Sequence, residues 1–369
     1  MINVTKSYLP DLEEYTNYLK EIWETVHLTN DGPLLRKLES QLKEFLGVKH
    51  LKFCTNGTVV LQMALKALGI NKEVITTPFS YVATTNAILW EGCTPVFADI
   101  RPDDFNIDPA KIEPLITENT QAIMATHVYG NACQIEQIQA IAEKHNLKVI
   151  YDAAHTFGAT YNDRSILSYG DVSTCSFHAT KVFHTVEGGC IVTDDDELAQ
   201  KLHFYRSFGH RNDDYFSIGI NAKNSEFHAA MGLCVLPKVP DLIAARRQVF
   251  SYYNNRLDFT RITRPSLTPG VGYNYAYYPI VLDSEETLLR VADALKAQDI
   301  TPRRYFYPSL NKLPFVITSD NDKAQYCPIS EDVALRVLCL PLYPSLSEAE
   351  VDQISGIVNE AIAIVSENA

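Results

Sequence analysis

Several things are missing from this 369-residue sequence, and each absence closes a class of function. There is no C-x-x-C pair, so neither a zinc ribbon nor a thioredoxin-type motif is present, and no metal site is expected. The eight cysteines (Cys54, Cys93, Cys133, Cys175, Cys190, Cys234, Cys327 and Cys339) are scattered, several of them inside apolar strand-like runs. Free buried thiols in a reducing compartment explain that pattern better than disulfides. No G-x-G-x-x-G occurs, so a dinucleotide-binding Rossmann reading loses its main support, and no glycine-lysine phosphate loop takes its place. Positive charge is scarce. The formal net charge of −13 argues against a nucleic-acid partner, although a local basic pocket for a phosphorylated ligand stays open. No apolar run approaches the roughly 18 residues needed to span a bilayer. Met1-Ile2-Asn3-Val4-Thr5-Lys6 also lacks the layout of a signal peptide. A cytoplasmic protein with no membrane partner is expected.

What is present is an ordinary globular composition: 46% hydrophobic and 21% charged residues, enough to bury a sizeable core. Strand-like runs appear at His50–Cys54, Glu73–Thr77, Pro95–Asp99, Gln121–His127, Lys148–Asp152, Ser173–Phe177 and Gly189–Thr193. Most are separated by helix-competent stretches such as Val82–Leu89 and Ile135–Glu143. Such alternation predicts an α/β protein with a seven-stranded, mostly parallel sheet flanked by helices. Two helices, Asp11–Glu24 and Leu34–Phe45, precede it. From about Thr260 short strands (Tyr275–Val281, Arg336–Leu340) alternate with helices (Glu285–Ala297, Glu348–Glu360) in a smaller α+β unit. The expected division is a large domain over residues 1–245 and a small C-terminal domain over 246–369.

Ligands of parallel sheets gather beyond the carboxyl ends of the strands. The chemically able residues lie at those ends: Asn56-Gly57-Thr58, Phe79-Ser80-Tyr81, His127-Val128-Tyr129-Gly130, Asp152-Ala153-Ala154-His155 and Ser176 to Lys181. Asn56-Gly57-Thr58, between a strand and a helix, reads either as an anion site or as an ordinary helix cap. Lysine can form a Schiff base with a carbonyl, and aspartate can keep a pyridinium nitrogen protonated. Those are the two groups that pyridoxal 5'-phosphate (PLP) chemistry most needs from a protein, and Lys181 and Asp152 are the candidates for them, although Lys181 taken alone reads more readily as a solvated surface lysine.

These motifs, with Leu28-Thr29-Asn30-Asp31-Gly32-Pro33, Tyr81-Val82-Ala83-Thr84, Ser176-Phe177-His178-Ala179-Thr180-Lys181, Glu187-Gly188-Gly189, Asn221…Ser225-Glu226 and Leu340-Pro341-Leu342-Tyr343-Pro344, run nearly end to end. Together they resemble the DegT/DnrJ/EryC1/StrS family of PLP-dependent nucleotide-sugar aminotransferases, of the fold type I aspartate-aminotransferase architecture. The resemblance implies that Lys181 is the cofactor-linked lysine and that Asp152 pairs with the pyridine nitrogen. His155 would meet the phenolic oxygen, and Tyr81 would stack on the ring. Gly57, Thr58 and Ser176 would hold the phosphate, with Asn221 reaching it from a neighbouring subunit. It thus implies a homodimer with shared active sites. Relatives that carry histidine at the lysine position perform dehydration; Lys181 disfavours that branch. Ala222-Lys223 and His184 depart from the commonest pattern, which leaves the substrate side less defined than the cofactor side.

The stretch around Lys181 looks most like enzymes that aminate dTDP-4-keto-6-deoxy-D-glucose to dTDP-4-amino-4,6-dideoxy-D-glucose, with L-glutamate the usual amino donor. Activity on a 3-keto or differently configured nucleotide sugar is the alternative. On the substrate side the resemblance points to Thr29 and to Arg303, Arg304 and Tyr305. The cluster Arg303-Arg304-Tyr305-Phe306-Tyr307-Pro308 reads equally as a diphosphate-facing loop or as a solvated edge strand.

Overall fold

The computed structural model describes residues 1–316 and 326–364. All seven expected strands form one sheet, each within a residue or two of its expected limits. Across the sheet the order is His50–Cys54, Gly189–Thr193, Val172–Ser176, Lys148–Asp152, Thr120–Thr126, Glu73–Thr76 and Thr94–Phe97. Gly189–Thr193 runs antiparallel to both neighbours, and the remaining pairs are parallel. The strands read as unbroken apolar runs because helices cover both faces. Val149, Ile150 and Tyr151 are all buried although they alternate sides. The parallel register places Thr126 beside Asp152, so chemically different strand ends share one edge.

The N-terminal helices Leu12–Thr25 and Pro33–Leu46 pack on this unit through Ile22, Leu34, Leu35, Leu38 and Leu42. The second begins at Gly32-Pro33, and the reason lies far away in sequence. The buried Glu226 carboxylate accepts from the backbone N–H groups of Leu34 (2.7 Å) and Leu35 (2.9 Å). It satisfies two donors that a helix start leaves orphaned and places negative charge at the positive end of the dipole. A Cβ at Gly32 would lie 2.4 Å from the Glu226 carboxyl carbon, so a residue without one is required there.

The helix Val239–Asn254 joins two cores. Val239 and Leu242 pack into the core of the N-terminal helices and sheet, whereas Val249, Phe250 and Tyr253 pack into a C-terminal one. The antiparallel pair Tyr278–Val281 and Val337–Leu340 carries that second core, with helices Glu285–Lys296 and Glu348–Ala363. One feature departs from the expected division at residue 245. Ile2–Asn3 pairs with Ile300–Thr301, and Ile2 packs on the C-terminal core, so the chain's start belongs to that unit. No uninterrupted apolar run had suggested a membrane span. The helical stretch Glu226–Asn254 is nonetheless long and apolar enough by length and composition to cross one. Here it is a core segment, with Ala229, Ala230, Leu233 and Val235 buried.

Candidate active site

The carboxyl ends of the strands open on a cavity of about 280 Å³. It receives Asp152 from the end of Lys148–Asp152, Ser176 from the end of Val172–Ser176, and Lys181 from the loop that follows. Gly57 and Thr58 come from a helix start, His155 from the turn after Asp152, Tyr81 from the turn before helix Ala83–Trp90, and Arg303 and Tyr305 from the C-terminal unit. Eight of the residues expected to bind cofactor or substrate on those elements therefore meet, along with Lys181 itself.

Asp152 is 5% exposed. Its Oδ2 accepts from Thr84 Oγ1 at 2.6 Å, and its Oδ1 from the Ala154 N–H at 3.1 Å. Burial pushes its carboxyl above the ordinary range; the two hydrogen bonds and then the Lys181 charge work in the opposite direction. Burial also holds the Lys181 ammonium below its ordinary range, against the attraction of Asp152. Lys181 Nζ lies 3.4 Å from the Tyr277 hydroxyl. A lysine so desolvated keeps a larger share of its amine unprotonated than one in water, and the free amine is the form that acts as base or nucleophile. His155 stacks on Phe306, its ring centroid 5.6 Å away, and meets Tyr277 edge-on at 4.9 Å. Burial, and then Lys181, keep its imidazole neutral.

The loop carrying Lys181 is strapped down by the N-terminal segment. Ser7 Oγ donates to the Ala179 carbonyl at 2.7 Å, and the buried His184 bonds the Tyr8 carbonyl through Nε2 at 2.6 Å. The Val186 N–H donates to His184 Nδ1, which leaves the proton on Nε2. The unusual His184 is thus a fastening of this loop.

The structure shows the helix-cap reading of Asn56-Gly57-Thr58. Asn56 Oδ1 caps helix Gly57–Ala67, accepting from the N–H groups of Thr58 (3.0 Å) and Val59 (2.9 Å), and the same turn lines the cavity. A Cβ at Gly57 would sit 2.8 Å from Ser176 Cβ, so glycine allows the helix start and the Ser176 strand end to close on one another.

Three expected residues are elsewhere. Arg304 turns away: its Nη2 meets Glu285 Oε1 at 2.7 Å and the carbonyls of Ala334 and Leu335, and its guanidinium lies over the Tyr307 ring. Arg303 lines the cavity and its neighbour does not. Thr29 sits by the Asn224 carbonyl at 3.5 Å and does not line the cavity. Asn221 is exposed, in a bridge with Ser207, and also lies outside it. Sequence reasoning missed Tyr277, Phe306, Thr84 and Thr126. Ser80 and Thr84 stood within quoted motifs, but nothing in a linear reading brought Tyr277 to Lys181.

A PLP-sized group fits these residues on three counts. His155 Nδ1 is buried without a hydrogen-bond partner. Lys181 and Asp152 face one cavity, and a helix start with a closely approached Gly57 lies at its other end. This arrangement on a sheet of this topology defines a PLP enzyme of fold type I. The sequence profile of the DegT/DnrJ/EryC1/StrS aminotransferase family matches residues 11–359, and the chain belongs to that family. It is 42% identical over 365 residues to a dTDP-4-amino-4,6-dideoxy-D-glucose transaminase of Shigella dysenteriae, covering 97% of this chain and 98% of that protein. To a GDP-perosamine synthase of Caulobacter vibrioides it is 34% identical, covering 94% and 95%. The crystal structure of DesI in the presence of its TDP-sugar product superposes with a TM-score of 0.91 at 30% identity, covering 99% of this chain and 94% of that one. The protein is a PLP-dependent nucleotide-sugar aminotransferase.

Proposed function

We propose that the protein transfers the amino group of L-glutamate to dTDP-4-keto-6-deoxy-D-glucose, giving dTDP-4-amino-4,6-dideoxy-D-glucose for O-antigen or other polysaccharide synthesis. The observation that carries this reading is the 42% identity, over nearly the full length of both chains, to a transaminase named for that product. The eight cysteines, all free and buried, support a reducing, cytoplasmic setting.

When bound, PLP supplies an electron sink for the carbanion formed at the amino donor. In this proposal Lys181 Nζ takes the proton from the donor's Cα and, in the second half of the cycle, delivers one to the sugar carbon that receives nitrogen. Asp152 holds the proton on the ring nitrogen, and its burial strengthens that pairing. His155 offers Nδ1 to the phenolic oxygen, while Tyr81, at the cavity mouth, covers the ring. Gly57, Thr58 and Ser176 receive the phosphate. Arg303 and Tyr305 line the cavity, and Arg303 would offer a sugar diphosphate positive charge within a protein of net charge −13. Thr29 and Arg304 leave that list unless a second subunit brings Thr29 to the site.

Two subunits are part of the same proposal. Phe208, Tyr215, Phe216, Ile218 and Ile220 are all exposed around Asn221, an apolar patch that supports an interface through which Asn221 reaches the partner's phosphate site. The division into two domains near residue 245 belongs here too, with helix Val239–Asn254 as the joint. The test is a panel of 3-keto and 4-keto sugar nucleotides, dTDP- and GDP-linked, incubated with glutamate. The largest kcat/KM is expected for the dTDP-linked 4-keto gluco sugar. Preference for a 3-keto or GDP-linked sugar would overturn the substrate and leave the class standing.

A further inference from the structure

Beside Asp152 runs a chain of three hydroxyls from three elements, two of which, Ser80 and Thr126, also line the cavity. Thr84, on helix Ala83–Trp90, meets Asp152 Oδ2 at 2.6 Å; Ser80, in the preceding turn, meets Thr84 at 2.7 Å; Thr126, at the end of its strand, meets Ser80 at 3.0 Å. Exposures are 0% for Thr84, 2% for Ser80 and 1% for Thr126.

An ionised carboxylate can only accept, and each hydroxyl has one proton. Thr84 must therefore spend its proton on Asp152, so its oxygen accepts from Ser80, whose oxygen in turn accepts from Thr126. The direction of all three bonds is fixed from the Asp152 end. Aligned hydrogen bonds in a low-dielectric interior polarise one another, so the last donor is stronger than an isolated hydroxyl.

We infer that Thr126, Ser80 and Thr84 form a directed relay that sets the orientation and charge of Asp152, making them positioning residues for the transamination. The inference rests on the proposed pairing of Asp152 with the ring nitrogen. The Ala154 N–H fixes Oδ1 while the relay fixes Oδ2, so the carboxylate plane cannot turn. The charged or titratable groups whose fields reach Asp152 are Lys181 from the following loop, Cys175 from the adjacent strand and Tyr277 from the C-terminal unit. The relay hydroxyls do not titrate in the working range. Their removal therefore acts on Asp152 without adding a titrating group.

The test uses the PLP-loaded protein with Thr84→Val, Ser80→Ala, Thr126→Val and Thr84→Ser, with Asp152→Asn in parallel. Three quantities are read: the pH at which the visible absorbance of the resting protein changes, the rate of the half-reaction with glutamate, and the midpoint of thermal unfolding. Thr84→Val is nearly isosteric. It should slow the half-reaction about tenfold or more, the scale of a hydrogen bond to a charged group. It should also move the absorbance transition by about one pH unit. Ser80→Ala should do less and Thr126→Val least, while Thr84→Ser keeps wild-type values. An unchanged absorbance transition in Thr84→Val beside a nearly inactive Asp152→Asn overturns the relay alone. An active Asp152→Asn overturns the pairing on which it rests. Should Thr84→Val fail to fold, equal effects of Ser80→Ala and Thr126→Val on the absorbance transition also overturn the relay.

Discussion

The amine of Lys181 and the hydroxyl of Tyr277, 96 residues apart in the chain, lie 3.4 Å from one another, and both residues line the cavity. Tyr277 comes from the C-terminal unit, just before strand Tyr278–Val281, so the lysine is positioned by both parts of the molecule. Burial raises the Tyr277 phenol above its ordinary range, and it stays a neutral partner. In the proposed cycle this contact would make Tyr277 a guide for the lysine amine.

Tyr277→Phe should accordingly lower the rate of the glutamate half-reaction about three- to tenfold, the scale of one neutral hydrogen bond. The affinity for PLP should change little. Stopped-flow absorbance for the rate and a fluorescence titration for the affinity check both halves.

Asp152→Asn separates chemistry from folding. Burial raises the Asp152 pKa in the cofactor-free protein above that of the unfolded chain. The sign follows: the native state binds more protons in the window between the two values, so stability from this group is fully present below the unfolded pKa and declines as pH rises through the folded one. Near neutrality an amide should therefore leave the unfolding midpoint of the cofactor-free protein unchanged or higher, while turnover falls by two orders of magnitude or more, about the cost of losing one buried electrostatic stabiliser. Parallel calorimetry and steady-state kinetics decide it. A large drop in both would make Asp152 a structural residue.

Strands such as Lys148–Asp152 were legible because burial on both faces writes itself as a continuous apolar run. The ligand-bearing ends were legible because parallel strands point the same way. Lys181, Asp152 and His155 could be placed in one cavity on that basis. Pairings between distant segments left no local trace. Gly32 looks like a turn glycine until Glu226, which caps the helix behind it, is seen in the space of its missing Cβ. Arg303 and Arg304 are adjacent and chemically alike, and only the distant Glu285, Ala334 and Leu335 that hold Arg304 separate them. The role proposed for Asn221 needs a second subunit, and no residue of its own chain's cavity adjoins it in the sequence.

The two arginines yield a split prediction. Arg303→Ala should raise KM for the sugar nucleotide about tenfold or more, the scale of a charge-assisted contact, and leave the glutamate half-reaction intact. Arg304→Ala should leave KM close to wild type and instead lower the unfolding midpoint by removing the contacts to Glu285, Ala334 and Leu335. Initial-rate kinetics at low and moderate salt with a thermal melt tests both. A KM effect from Arg304 alone would reverse the assignment.

Shared sites can be tested by complementation. Lys181→Ala and Asn221→Asp chains, each nearly inactive, should recover activity when refolded together, because one site of the mixed dimer carries neither defect. Heterodimers seen by native mass spectrometry without recovered turnover would mean that Asn221 acts within its own chain.

If this cavity moves an amino nitrogen onto a sugar's keto carbon, a labelled nitrogen reports the reaction itself. The enzyme is given glutamate carrying a heavy-nitrogen label and dTDP-4-keto-6-deoxy-D-glucose, and the purified sugar nucleotide is examined by nitrogen–proton correlation spectroscopy. The label is expected at C4 of a 4-amino-4,6-dideoxyglucose, and is expected to be absent when Lys181 is replaced by alanine. An unlabelled deoxygenated sugar, or label at C4 undiminished in the Lys181→Ala protein, would overturn the proposed reaction.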